Sequence, residues 1–136
     1  MLRTVLCVIA GIAAAFAITF ASDALFHALV PSAVPPADTS DREAMRAYVV
    51  AQPAWVLTSL LVAWALAAFV GSAVAARLAR GGELPGWIVT GLYLLATAAN
   101  FIMVPHPVWM VVFGLVLIAA AGWAGSRAGA GARHAA

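Results

Sequence analysis

Four polar residues that could bind a ligand stand out in a chain that is otherwise strongly apolar: Asp23, His27, Asn100 and His106. Asp23 and His27 are four residues apart, so they project from one face of a helix. A carboxylate at that spacing can hydrogen-bond the imidazole and select its tautomer, as carboxylates do behind metal-ligating histidines. His106 stands between two prolines, in Pro105-His106-Pro107. These four residues come from distant parts of the chain, so larger elements must bring them together.

The elements that position these residues are predicted to be membrane-spanning helices. The 136-residue chain is 65% apolar and 9% charged, whereas soluble domains carry about 25% charged residues. Four uncharged runs approach the roughly 20 residues that a helix needs to cross hydrocarbon. They predict an all-α, four-helix transmembrane bundle that forms one domain over residues 1–136. The predicted spans are 3–30, 53–76, 86–104 and 107–126, with a loop at 31–52.

The 31–52 loop contains a predicted short helix at the membrane interface. Ser40 and Glu43 have the Ser-x-x-Glu spacing of a capping box, which predicts Ser40 as the N-cap. The helix would cover "DREAMRAYVVAQ" and lead into the second span. One face of this helix carries its larger apolar side chains: Met45, Tyr48 and Val49.

The turn at 105–107 joins the third and fourth spans. A residue that precedes proline is pushed out of the α region, so the third span is predicted to end near Met103 and the fourth to start at Pro107. These two spans then form a tight antiparallel hairpin. His106 takes the cap position of the fourth span, where it is a poor cap compared with Ser, Asp or Asn. Neither capping nor turn geometry therefore predicts a histidine there.

The four polar residues share one depth in the predicted membrane. Asn100 lies about 20 Å beyond Trp87 along its helix, and Asp23 lies about 30 Å beyond Arg3. If the first span neighbours the hairpin, the four side chains converge on a pocket. Otherwise Asn100 bonds a neighbouring helix, and the remaining three are ordinary interfacial residues. Weaker candidates for a cavity, which could equally pack or bond their own helix backbone, are Thr58, Trp64, Thr90 and Thr97.

Metal and cofactor chemistry has little support in the sequence. Two histidines and one carboxylate suit zinc or copper, but this would require the same convergence, and the sequence predicts no cofactor and no metal. Cys7 is the only cysteine, which excludes an internal disulfide and a cysteine cage. No nucleotide-binding loop, HExxH motif or nucleophile–base–acid set is present, so no enzyme is predicted. The net charge of +2 is spread among loops, which does not predict nucleic-acid binding.

The distribution of arginines predicts the orientation. If the spans alternate, five arginines fall on one side of the membrane: Arg3, Arg77, Arg80, Arg127 and Arg133. Arg42 and Arg46 fall on the other side, next to three acidic residues. The positive-inside rule then places both termini in the cytoplasm, with the 31–52 loop and the 105–107 turn outside. For a bacterium this predicts a multi-pass protein of the inner membrane.

Small residues recur at four-residue intervals in two spans. The second span carries Ala67, Gly71, Ala75 and Ala79, and the fourth carries Ala121, Gly125 and Gly129. Such stripes let helix backbones approach closely. They predict packing within the bundle, with a homo-oligomer through the Gly71 stripe as the alternative. The matching starts "PAWVLTSL" and "PGWIVTGL" fit either an internal repeat or the shared preference for proline and tryptophan where a helix enters a membrane.

Three segments, "SDALFHALVP", "LVAWALAAFVGSAVAARLA" and "ANFIMVPHPVWM", resemble an uncharacterised family of small bacterial four-helix inner-membrane proteins. The most specific element is N-x4-PHP-x-W, at residues 100–109. The resemblance implies a four-span architecture and carries no activity, ligand or catalytic residue. Small multidrug transporters differ, because they carry a central glutamate in their first span, whereas Asp23 lies near the end of this one.

We therefore expect a non-enzymatic membrane protein that binds, or helps to move, a small molecule, lipid or ion. The expected site is an outward-facing polar pocket formed by Asp23, His27, Asn100 and His106. The alternative is a structural or accessory subunit that packs against another membrane protein or itself. A cavity at the level of the four residues would favour the first function, and a filled bundle with a small-residue face on its exterior would favour the second. The lipid bilayer is the other expected partner.

Overall fold

The computed structural model describes residues 2–30, 36–79 and 82–131. These residues form five helices and no strands: α1 (Leu2–Leu29), α2 (Arg42–Val50), α3 (Ala54–Leu78), α4 (Leu84–Met103) and α5 (Val108–Gly131). All but α2 are long and apolar enough to cross a membrane. The predicted all-α bundle of four spanning helices is confirmed, and the chain is a multi-pass membrane protein. Residues 31–35 of the predicted loop, Arg80 and Arg133 lie outside the described residues.

Some helix ends differ from the predicted spans, because the end of an apolar run is not always the end of a helix. α5 continues to Gly131, although the apolar run that predicts the span ends at residue 126. Arg127 ends the apolar run without ending the helix, because arginine is a good helix former. α4 ends at Met103, as predicted from the proline that follows Val104. Pro53 is the N-cap of α3 rather than its first helical residue, and its carbonyl accepts the N–H groups of Val56 and Leu57.

The cap of α2 is Asp41, so the prediction of Ser40 as the cap was wrong. The Asp41 carboxylate accepts hydrogen bonds from the backbone N–H groups of Glu43 and Ala44, at 3.0 and 3.2 Å. The Ser40 hydroxyl instead donates to the Asp38 carboxylate at 2.6 Å. Aspartate and serine cap helices about equally well, so the adjacent Asp41 can replace Ser40 once Asp38 has engaged the serine. The predicted apolar face is confirmed, since Met45 and Val49 are buried.

α3 is the central helix and packs against α1, α4 and α5. α1 runs antiparallel to α3, with Arg3 near its start donating to the carbonyl of Leu78 at the end of α3. The two backbones touch where a Cβ built on Gly11 would lie only 2.5 Å from the carbonyl oxygen of Gly71. The predicted helix contact at Gly71 is therefore confirmed. α1 covers the Gly71 stripe within one chain, so a homo-oligomer would need another face.

Close glycine contacts also join α5 to its neighbours. Gly125 and Gly129 lie against the backbones of Phe69 and Ala73 in α3, and Gly122 lies against the side chain of Thr90 in α4. α4 and α5 run antiparallel, as the short 104–107 turn predicts. Among neighbouring spanning helices, α1 and α4 have the smallest contact. We call the end of the bundle that carries α2 and the 104–107 turn the α2 end, and the other the opposite end.

Candidate functional site

The four polar residues selected from the sequence line one cavity at the α2 end. This cavity, which we call the α2 cavity, has a volume of about 220 Å³. α1 contributes Asp23 and His27, α4 contributes Asn100, and the 104–107 turn contributes His106. The common depth of the four residues predicted that they would converge if α1 lies next to the hairpin of α4 and α5. The condition holds through α4, which packs against α1. Binding of a ligand by these residues stays a prediction.

The remaining walls of the α2 cavity are apolar and aromatic. Met45, Tyr48 and Val49 of α2 form one wall, and Trp64 of α3 and Phe26 of α1 form others. The face of α2 that was predicted from its spacing therefore covers the cavity. Such a mixture of apolar walls with a few convergent polar groups is typical of small-molecule sites.

His106 is held by a hydrogen bond at the end of α4. Its Nδ1 lies 2.7 Å from the carbonyl oxygen of Val104, which is the C-cap residue of α4. A carbonyl can only accept, so Nδ1 carries the proton and Nε2 is the acceptor of the neutral ring. His106 does not cap the fourth spanning helix, because α5 begins at Val108 and the Pro107 carbonyl accepts the N–H groups of Met110 and Val111. The expectation that the turn gives no reason for a histidine was wrong. His106 caps the helix before it instead of the helix after it, because the last carbonyls of α4 lack helical partners.

The surroundings of His106 keep it uncharged at neutral pH. Its ring is partly buried, with the ring centroids of Phe101 and Trp64 at 5.0 and 6.3 Å. Burial lowers the pKa of His106 below the ordinary value of 6.5, and the hydrogen bond to Val104 opposes this shift only in part. The imidazole that faces the α2 cavity is thus a neutral hydrogen-bonding group.

The predicted hydrogen bond between Asp23 and His27 is absent among the described residues, although both line the α2 cavity. His27 is exposed at the rim, and its ring meets the ring of Phe26 edge-on at a centroid distance of 5.6 Å. Sharing a helix face therefore did not suffice, because the imidazole packs against its own neighbour. Asp23 is half-buried. Among the described residues that line the α2 cavity, Asp23 is the only carboxylate, and none is an arginine or a lysine.

A second cavity of about 230 Å³ adjoins the first and shares Asp23, Trp64 and Asn100 with it. This cavity, which we call the Tyr93 cavity, lies between α1 and α4. The hydroxyls of Thr19 and Tyr93 are 2.8 Å apart at its lining. Thr19 also donates to the carbonyl of Ala15 at 3.0 Å, so its single proton is used there and Tyr93 must be the donor to Thr19.

Sequence reasoning missed Thr19 and Tyr93, although a signal was present. Thr19 lies one helical turn before Asp23, and Tyr93 lies one turn before Thr97, whose face continues towards Asn100. Thr97, a weaker candidate, lines the Tyr93 cavity and bonds back to the carbonyl of Tyr93. The two other threonine candidates bond to their own helices: Thr58 to Ala54 and Thr90 to Gly86.

Close packing separates the two cavities from the opposite end of the bundle. Next to Thr19 and Tyr93 come the buried Ala15 and the contact between Gly11 and Gly71. No group of three or more histidine, cysteine, aspartate or glutamate residues in the described part of the chain could hold a metal ion.

Comparison of the chain with protein-family models, with curated proteins and with solved structures finds no match. The resemblance carried by the N-x4-PHP-x-W element therefore stays a prediction.

Proposed function

We propose that this chain is a non-enzymatic inner-membrane protein that binds a small molecule in an outward-facing pocket, and helps to move it. The α2 cavity and the Tyr93 cavity together form the pocket. The observation that carries the proposal is the convergence of Asp23, His27, Asn100 and His106, which come from three separate elements, on one cavity.

The hydrogen bonding of the polar side chains distinguishes this pocket from a layer that only holds the helices together. Polar groups within a bundle of spanning helices normally find partners there. Ser72 and Thr90 do so at 2.8 Å, and Thr19 and Tyr93 do so at the same distance. Within the described residues, the side chains of Asp23 and Asn100 make no such bond. These two side chains remain available to a ligand or to water.

The orientation of the pocket follows from the placement of the arginines. Arg3, Arg77 and Arg127 lie at the opposite end of the bundle, and the positive-inside rule assigns that end to the cytoplasm. The pocket at the α2 end then faces outward, and the glycine contacts of the opposite end separate it from the cytoplasm. This arrangement favours capture of a ligand from outside over an open channel. The accessory function has no comparable support, because α1 covers the Gly71 stripe.

Access of water to the pocket can be tested with a matched pair of cysteines in a Cys7→Ala background. Asn100→Cys places a thiol in the pocket, whereas Ala99→Cys places one at the same depth on the exposed face of α4. Thiols react as thiolates, which need water. A membrane-impermeant maleimide added outside should label Asn100→Cys and spare Ala99→Cys. Both should react after denaturation, and equal labelling of the two in the membrane would contradict the proposal.

Ligand retention can be tested by filling the pocket. Asn100→Trp should occupy the space between α1 and α4, and Ala99→Trp places the same ring towards the lipid as the control. Small molecules extracted from the purified proteins would be compared by mass spectrometry. We expect at least one species to be retained by the parent and by Ala99→Trp but lost from Asn100→Trp. Identical profiles for all three proteins would argue against a binding function.

A further inference from the structure

We propose that the pocket selects amphipathic organic cations, with the ligand's ammonium group at Asp23 and its apolar body against Trp64 and the neighbouring aromatic side chains. This inference rests on the proposed function and adds the chemical class of the ligand.

The charge of the pocket favours a cation. Asp23 is the one carboxylate among the described residues that line the two cavities, and no arginine or lysine joins it there. His106, which is partly buried, is neutral at pH 7, and His27 is exposed at the rim of the α2 cavity. An anion would meet Asp23 with no arginine or lysine to compensate its charge, and like-charge contacts are strongly unfavourable.

The hydrogen-bonding groups of the pocket are chiefly acceptors. The Asp23 carboxylate can only accept, and the neutral His106 ring has Nε2 left as an acceptor once Nδ1 donates to Val104. The Tyr93 hydroxyl donates its hydrogen bond to Thr19, which leaves the Tyr93 oxygen as an acceptor. The Asn100 amide can both donate and accept, so acceptors outnumber donors among these groups. A ligand that donates hydrogen bonds or carries positive charge therefore matches them; a protonated amine does both, and a quaternary ammonium ion supplies the charge.

The walls of the pocket favour a cation with an apolar body. Asp23 and Trp64 both line the two cavities, so an ammonium group at Asp23 has apolar space on either side. Trp64, together with Phe26 and Tyr48, supplies aromatic rings to the lining of the α2 cavity, and such rings attract a cation that lies over a ring face within about 6 Å. A bare metal ion fits less well, because metal ions require several ligating side chains. Among the described residues, no cluster of three or more histidine, cysteine, aspartate or glutamate side chains could hold one.

The class of ligand can be tested with two small probes of opposite charge, benzyltrimethylammonium and phenylacetate. Thermal unfolding of the full chain in detergent is measured against the concentration of each probe. A ligand that binds only the folded state raises the melting temperature. Benzyltrimethylammonium should raise it in a saturable manner, and phenylacetate should not. Equal stabilisation by both probes, or stabilisation by phenylacetate alone, would overturn the proposal.

Two substitutions locate the binding. Asp23→Asn should weaken binding of benzyltrimethylammonium at least about tenfold, because it removes the charge that pairs with the cation. Glu43→Gln is the matched control, since it removes an exposed carboxylate from α2 that does not line the pocket, and it should bind like the parent. Equal affinities for Asp23→Asn and the parent would refute the proposal. If Asp23→Asn does not fold, the two tryptophan variants replace it. Loss of benzyltrimethylammonium binding in Asn100→Trp but not in Ala99→Trp supports binding in the pocket, and binding by both variants refutes it.

The inference and the proposed function can fail separately. If Asn100→Cys is labelled from outside but no cation binds, a water-filled pocket exists and the assigned class of ligand is wrong. If Asn100→Cys is not labelled and no probe binds, both proposals fall.

Discussion

His106 combines two tasks in one side chain. Its Nδ1–H group satisfies the carbonyl of Val104 at the end of α4, where a helix leaves its last carbonyls without partners. Its ring packs between Phe101 and Trp64. The same bond fixes the tautomer with the proton on Nδ1, so Nε2 is the acceptor of the neutral ring. His106 therefore closes the turn and also offers an acceptor to the α2 cavity.

Burial of a neutral His106 should make the stability of the bundle depend on pH. The pKa of His106 is lowered in the folded protein, so the unfolded chain takes up the proton first as the pH falls. The stabilising contribution is complete above the ordinary pKa of 6.5 and is lost as the pH falls through the lowered value. We expect a decline in melting temperature over that acidic range, measured in detergent at a series of pH values.

Substituting each histidine in turn shows which of the two causes this dependence of stability on pH. His106→Gln should flatten the decline, because no proton is then taken up at this site. His27→Gln is the control and should keep the decline of the parent, because that side chain is exposed at the rim. A flat profile for His27→Gln, with the decline preserved in His106→Gln, would contradict the assignment.

The helices of the bundle meet through backbones at the opposite end and through side chains at the α2 end. Gly11 and Gly71 bring α1 and α3 together, and Gly125 and Gly129 bring α5 against α3. At the α2 end, the larger Trp64 stands between α1 and α4 and lines both cavities. The difference in side-chain size explains why one end is closely packed and the other is open.

Gly71→Ala should destabilise the bundle. The added Cβ would lie 2.7 Å from the carbonyl oxygen of Gly11 and 2.8 Å from the Cβ of Ala15, and neither neighbour is a flexible side chain. We expect a loss of about 1–3 kcal/mol in the free energy of unfolding, as for other overpacked sites. Titration with a denaturing detergent would measure it.

Gly91→Ala is the matched control for this substitution. A Cβ at Gly91 would meet no heavy atom within 4 Å. It should leave stability unchanged or raise it by up to about 1 kcal/mol, because alanine is the better helix former. Equal stability of the Gly71 and Gly91 variants would show that the α1–α3 contact tolerates separation.

The hydrogen bond between Thr19 and Tyr93 should couple α1 to α4. Tyr93→Phe and Thr19→Val each remove one partner of the 2.8 Å contact. A double-mutant cycle on these two changes should give a coupling energy of about 0.6 kcal/mol, the average for such bonds between spanning helices. A cycle with no coupling would mean that the bond does not stabilise the bundle.

The whole molecule is asymmetric from one end to the other. The opposite end carries Arg3, Arg77 and Arg127, with Arg127 Nε at 3.7 Å from a carboxylate oxygen of Glu83. The α2 end carries α2 and the pocket. An exposed ion pair of this kind contributes little to stability, so we attribute the arginines mainly to orientation.

Both termini should lie in the cytoplasm. The reason is the excess of arginines at the opposite end, which the positive-inside rule assigns to that side. Reporters fused after Ala136 and inserted at residues 37–40 should report the cytoplasm and the outside respectively. A reversed result would place the pocket on the cytoplasmic side, although the geometry of the pocket would be unchanged.

The four spans could be predicted from the sequence because length and apolarity are local properties of each segment. The end of α4 and the tight turn at 104–107 could be predicted for the same reason, since proline acts on the residue before it. The cap of α2 could not, because Ser40 and Asp41 compete for one position and contacts with Asp38 decide between them.

The pocket was only half predictable, because order along the chain gives the depth of a residue but not the direction of its side chain around the helix axis. The depth of Asp23 and Asn100 followed from 1.5 Å per residue. That both side chains line the same two cavities depends on which helices touch. This in turn depends on contacts between distant residues, such as Gly11 with Gly71, which bring α1 against α3 and so beside α4. Thr19 and Tyr93 were missed for that reason, and the imidazole of His27 turned to Phe26 instead of Asp23.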